Sequence, residues 1–177
     1  MSFPGIPSLD AAVMAFIQTH FHNTVTDTVF PIITSLGEAG IGWIVLSLVL
    51  LCFKKTRRTG GLVLIAMTVT LLFGELTLKN IICRLRPCNV FTDFPMLIAR
   101  PTSYSFPSGH TSSSFAAALI LTLRHKKVGW LAYIPAVLIA FSRIFLFVHY
   151  PTDVLAGILL GPFCLNLVPD YIIDGMD

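Results

Sequence analysis

The chain has 177 residues, of which 55% are hydrophobic and only 12% charged, with a formal net charge of +3; its mean hydropathy is +0.81. A soluble domain carries about 25% charged residues, so a soluble globular fold is excluded. The expected class is all-α, a polytopic bundle of transmembrane helices in one compact domain. Lys and Arg are scattered over segment ends instead of forming one basic face, which argues against a nucleic-acid partner. No Cys/His spacing fits a metal site, and no signal-peptide pattern opens the chain. Cys52 and Cys164 fall in apolar runs and read as small core residues, while Cys83 and Cys88 flank Arg86 and leave a disulfide open.

Residues 8 to 36 mix Met14, Ile17, Phe21 and Phe30 with Asp10, His20, His22 and Asp27. Met14, Ile17 and Phe21 have helical spacing. One or two amphipathic helices lying at the membrane interface are expected, with six helices in total as the alternative. His20 and His22 read as polar residues on a wet face, not as metal ligands. The domain organisation is then an interfacial segment over 1–36 and a transmembrane core over 37–177. Five crossings follow, at about Gly40–Phe53, Gly61–Cys83, Ser108–Leu123, Val128–Val148 and Pro151–Val168. The first is short for a bilayer that needs about 20 residues.

Two short loops are rich in Lys and Arg, at 54–58 and 124–127, and should be cytoplasmic. The loop 87–107 and the turn 149–151 then face outward. Lys79, Arg84, Arg86, Arg100 and Arg143 break the charge rule on that outer side, and an anionic ligand would explain them.

Three clusters gather at the outer end. Lys79 and Arg86 are seven positions apart, two helical turns, and share a face; Pro87 is expected to end that helix. Two cations there would bind phosphate oxygens, although basic side chains at helix ends also snorkel to headgroups, and Glu75 is placed to pair with Lys79. Phe106-Pro107-Ser108-Gly109-His110 marks a helix start. Its free N–H groups and positive dipole end suit an anion, Gly109 permits close backbone approach and His110 can donate a proton; an ordinary cap by Ser108 fits equally. In the third cluster Arg143 precedes His149, and Asp153 follows it by four positions. Asp153 is placed to accept one ring N–H of His149 and leave the other nitrogen as a lone pair, as a nucleophilic histidine requires. A His–Asp pair that merely ties two helices together has the same spacing.

These residues together resemble the type 2 phosphatidic acid phosphatases, the lipid phosphate phosphatases. Lys79, six residues, Arg86-Pro87 is similar to their first signature, Pro107-Ser108-Gly109-His110 to the second, and Ser142-Arg143, five residues, His149, three residues, Asp153 to the third. The likeness covers about residues 37 to 168. It implies that His149 is the nucleophile that forms a phosphohistidine and that Asp153 orients it. His110 would be the general acid and later the base. Lys79, Arg86, Arg143, Ser108 and the Gly109 backbone would hold the phosphoryl oxygens. Three fixed cations can neutralise those oxygens, so no metal or cofactor is implied. The expected substrate is a lipid phosphate in the bacterial plasma membrane, with the active site facing outside: undecaprenyl diphosphate, phosphatidate or phosphatidylglycerol phosphate. A haloperoxidase and a non-hydrolytic phospholipid or phosphate carrier are the alternatives. Phe91, Phe94, Met96, Leu97 and Ile98 in the outer loop suit either a lipid gate or plain loop packing.

Overall fold

The computed structural model describes residues 3–165, and among them there are helices and connecting segments but no strand. The helices are α1 (Ser8–His20), α2 (Thr24–Leu36), α3 (Ile41–Leu51), α4 (Arg57–Thr70), α5 (Lys79–Ile82), α6 (Pro87–Val90), α7 (Gly109–Arg124), α8 (Tyr133–Phe145) and α9 (Pro151–Leu165). A π-helical stretch, Leu71–Leu78, joins α4 to α5, and short 3-10 turns precede α3 and α8. The expected end of the fifth crossing, at 166–168, lies outside the described residues.

The segment before residue 37 forms two helices. In α1 one face buries Asp10, Met14, Ile17 and Gln18, while Leu9 and Phe16 are exposed. Phe21, expected on the buried face, sits just past the helix and is 38% exposed. A capping box starts α2: the Asn23 side chain accepts from Val25 and Thr26 N–H, and the Thr26 hydroxyl accepts from Asn23 N–H. A 47° bend then leads into Glu38–Leu51, so that α2 and α3 together have the length and apolarity of one broken span. Ala39 (φ 48°) and Gly40 (φ 71°) absorb the change of direction. Among the described residues one run, Arg57–Val90, is long and apolar enough to cross a membrane, and Gly129–Phe145 and Pro151–Leu165 are shorter apolar helices.

At the centre stands α7, packed against α4, α8 and α9. Its buried face is built of small residues, among them Ser112, Ser114, Ala116, Ala117 and Ala118. Gly157 and Gly161 of α9 lie one turn apart against it. A Cβ at Gly157 would stand 2.8 Å from Ser108 O, and one at Gly161 2.7 Å from Ser112 O. Small residues let the two backbones meet, which is how helices associate where lipid offers no hydrophobic drive. Trp43 of α3 closes another side, donating its indole N–H to Ser114 Oγ at 2.9 Å. Outward-facing Leu48, Leu72, Leu76, Val137, Leu155 and Leu159 leave an apolar exterior.

One cysteine expectation changes. Cys164 is buried, but Cys52 is exposed, because it follows α3 where the chain turns toward the basic loop. Cys83 and Cys88 are free thiols.

Candidate active site

The end of α5, the start of α7, the turn between α8 and α9 and the face of α1 meet at one end of the bundle. Lys79 is the first residue of α5 and is 4% exposed; Arg86 and Arg143 are each 3% exposed. Their convergence is not the simple helical register expected from sequence. The helix stops at Ile82, where Cys83 takes φ 50°, and Pro87 opens the short α6 instead of ending a helix. The break at 83–86 swings Arg86 inward. Its Nε donates to Ser103 O at 2.7 Å, and its Nη1 donates to Val148 O and to His149 Nε2, both at 2.9 Å.

A guanidinium has no acceptor. The Arg86 contact therefore makes Nε2 the lone-pair nitrogen of a neutral His149 and leaves the proton on Nδ1. That nitrogen faces Ser105 Oγ at 3.4 Å and Asp153 Oδ2 at 3.6 Å. The expected direct His149–Asp153 hydrogen bond is thus replaced by a longer approach with the Ser105 hydroxyl alongside, which donates to Asp153 Oδ2 at 2.5 Å. Asp153 Oδ2 also accepts from Tyr150 N–H at 2.9 Å, and Oδ1 accepts from Arg84 at 2.6 Å. His149 lies in a tight turn outside the helices. Val148 N–H and His149 N–H both return to Arg143 O at 3.2 Å, and Phe147 is held at φ 59°. That conformation costs on the order of 1–3 kcal/mol. Fully buried Phe147 is wedged in place by a ring stack on Phe94, 3.9 Å between centroids. Burial pushes the His149 imidazole well below its ordinary value, and the charges of Arg86, Arg143 and Lys79 push it the same way against a Ser105 backbone hydrogen bond.

Lys79 is already occupied: Nζ donates to both oxygens of Glu75, at 2.6 and 2.7 Å. The same carboxylate lies over the start of α7, so close that a Cβ at Gly109 would fall 1.9 Å from Glu75 Oε1. The close backbone approach expected for a ligand is made here by Glu75. Ser108 does not cap α7 with its side chain; its Oγ accepts from Thr111 Oγ1 at 2.9 Å. His110 Nε2 has no hydrogen-bond partner among the described residues, and Glu38 Oε2 is 3.6 Å away. Arg143 donates to Thr34 Oγ1 at 2.6 Å, and its Nε has no hydrogen-bond partner among them either.

Lys79, Arg86, Gly109, His110 and Arg143 line a cavity of about 890 Å³, which continues along Ile44, Leu64, Met67 and Leu71. Ser108, His149 and Asp153 do not line it; His149 stands behind Arg86. Of the other cations expected to break the charge rule, Arg84 backs Asp153, and Arg100 donates to the carbonyls of Cys88, Thr92 and Phe94 and so ties the 88–106 loop together. Phe91, Phe94, Met96 and Ile98 pack on the core, whereas Leu97 is exposed. Asp10, Thr34, Glu38 and Ser105 were not anticipated as site neighbours, since nothing in their local sequence signals it.

The fold and site define a helical membrane protein with a cavity lined by Lys79, Arg86 and Arg143 at one end of its bundle. A model of the PAP2 superfamily matches residues 59–174, and the chain belongs to that superfamily. It is 40% identical over 120 residues to an undecaprenyl-diphosphatase of Sulfolobus acidocaldarius, a match that covers 67% of this chain and 58% of that protein. It is 33% identical over 134 residues to the bacitracin transport permease protein BcrC of Bacillus licheniformis, covering 74% of this chain and 66% of that one. Two solved structures share the fold. The PAP2-type phosphatidylglycerolphosphate phosphatase of Bacillus subtilis gives a TM-score of 0.73 at 30% identity, with 96% of this chain and 87% of that one covered. LpxE of Aquifex aeolicus gives 0.77 at 25% identity, covering 94% and 98%.

Proposed function

We propose that this protein is a membrane lipid phosphatase that cleaves a phosphomonoester or pyrophosphate bond through a phosphohistidine on His149. The observation that carries this is the lone-pair Nε2 of a neutral, buried imidazole held 2.9 Å from Arg86. Arg86 in turn shares one cavity with Lys79, Arg143 and His110. A phosphoryl group entering that cavity would draw Arg86 from the ring onto its own oxygens and open Nε2 for in-line attack. The P–N bond forms as the P–O bond to the leaving group breaks, and His110 gives its proton to the departing oxygen. His110 then takes a proton from water, whose oxygen attacks phosphorus; the P–N bond breaks and phosphate leaves. Asp153 and Ser105 hold the Nδ1 side. Lys79, Arg86 and Arg143 neutralise the equatorial oxygens, which is the principal demand of phosphoryl transfer, so the reaction needs no metal cofactor.

The apolar continuation of the cavity fits a lipid tail beside a charged head. Undecaprenyl diphosphate, phosphatidate and phosphatidylglycerol phosphate all have that form, and the names of the relatives support the class. The site lies at the end of the bundle opposite loops 54–58 and 124–127, which supports five crossings of the plasma membrane with the site facing outside. Phosphate release from purified lipid phosphates in detergent tests the proposal. Wild type releases phosphate with chelator present and is inhibited by vanadate, and His149→Ala releases none while folding normally. A carrier would release none in either form, and substantial turnover by His149→Ala would remove the covalent step.

A further inference from the structure

We propose that α1 is a strap that fixes the turn carrying His149, with Asp10 a positioning residue that acts on Asp153 through Arg84 and Thr152. The proposal rests on the roles given above to His149 and Asp153.

The first anchor is at the start of α9. Asp10 is fully buried. Its Oδ1 accepts from Thr152 N–H at 2.9 Å, satisfying one of the free donors of the first turn of α9 from another helix and placing negative charge at the positive dipole end. Its Oδ2 accepts from the Thr152 hydroxyl at 2.8 Å and from Arg84 Nη2 at 2.7 Å. The other arm of Arg84 donates to Thr152 Oγ1 at 2.7 Å and to Asp153 Oδ1 at 2.6 Å. One guanidinium therefore bridges two carboxylates that are both 0% exposed. A planar fork reaches both from two separate nitrogens in fixed directions, whereas an ammonium would have to bring both carboxylates to a single nitrogen. The Arg84 guanidinium carbon lies over the ring of Tyr150, 3.8 Å from its centroid, a cation–π contact that helps hold it in place. With Oδ1 tied to Arg84, the other oxygen of Asp153 can only face Ser105, Tyr150 N–H and the His149 ring.

The second anchor is at the end of α8, two turns further along α1. Gln18 is buried, and its Nε2 donates to Phe145 O at 3.0 Å and to Ile144 O at 3.4 Å, among the last carbonyls of α8. The two anchors bracket residues 146–150, which include His149, from both sides. An amphipathic helix that served only to lie on the membrane would need neither.

The test compares Asp10→Asn, Thr152→Val and Gln18→Leu with wild type in detergent, measuring kcat, KM and inhibition by inorganic phosphate. Lys79, Arg86 and Arg143 are untouched, so KM and the phosphate inhibition constant should stay within about twofold. Loss of the outer partner should lower kcat by about 10- to 100-fold for Asp10→Asn, and less for the other two. Wild-type kcat in Asp10→Asn overturns the proposal. So does a loss of phosphate affinity as large as the loss of kcat, because that would mark general collapse of the site. If Asp10→Asn does not fold, Thr152→Val and Gln18→Leu decide by the same measures. His149→Ala in the same assay separates the two levels: if it is inactive while Asp10→Asn is fully active, the strap alone fails, and if it turns over, the phosphatase mechanism fails.

Discussion

The two ends of the bundle carry the same kinds of side chain in opposite surroundings. At one end Lys54, Lys55, Arg57, Lys126 and Lys127 are exposed, and the polar pairing there is modest, as between Thr59 Oγ1 and His125 Nε2 at 3.1 Å. At the other end Lys79, Arg86 and Arg143 are at most 4% exposed. A solvated lysine costs almost nothing, whereas burying a cation costs several kcal/mol unless it is paired. Yet among the described residues Lys79 has a single carboxylate, and Arg143 has a threonine hydroxyl and an unpartnered Nε. The exposed cations are solvated and need no partner, as in the basic loops that the charge rule would place in the cytoplasm. The buried end holds cations with little pairing, which suits the incoming phosphoryl group proposed above.

That contrast can be broken directly. Arg143→Gln removes one buried cation and should lower kcat by about 10²- to 10³-fold, while Lys126→Gln at the exposed end should leave it within about twofold of wild type. Equal effects in phosphate-release assays would mean that the buried cations serve folding alone. A smaller effect is read from pH. Because burial and the three cations hold the His149 imidazole well below its ordinary value, the ring stays neutral and nucleophilic as pH falls. The acid limb of the kcat/KM profile, which reports the free enzyme, should lie clearly below the usual histidine value of about 6.5. A limb at or above that value would mean that the nucleophile is not held where the structure puts it.

Much of this was legible in sequence because it is local. The apolar runs mark α3, α7 and the start of α9 to within a few residues, the second run covers α4, the π-helical stretch and α5 together, and Pro107-Ser108-Gly109 marks the start of α7. His149, Arg143 and Asp153 come together because a tight turn separates them by few positions. What was not legible depends on long-range geometry. The expected helical register of Lys79 and Arg86 gives way to the break at Cys83, since the inward contacts to Ser103 and His149 come from distant segments. The N-terminal helices read as an interfacial appendage because their faces are amphipathic. Only the fold shows Asp10 against Thr152, Gln18 against the end of α8 and Thr34 against Arg143, at sequence separations of 142, 127 and 109.

The smallest expected effect concerns Glu75, the carboxylate that already holds Lys79 in the cavity. Glu75 grips Lys79 with both oxygens and lies over Gly109, where the free N–H groups of α7 begin. A carboxylate there holds the same two features, a cation and a helix start, that a phosphoryl oxygen would need, so substrate must displace it or share Lys79 with it. Glu75→Gln keeps the shape and removes the competing charge. Inorganic phosphate and vanadate should then inhibit a few-fold more tightly, on the scale of one ordinary hydrogen bond of about 1 kcal/mol. Thermal stability should fall at the same time, because Lys79 would be buried without its counter-ion. Weaker inhibition in Glu75→Gln would show the opposite relationship, with Glu75 acting to aim Lys79 at the phosphate instead of competing for it.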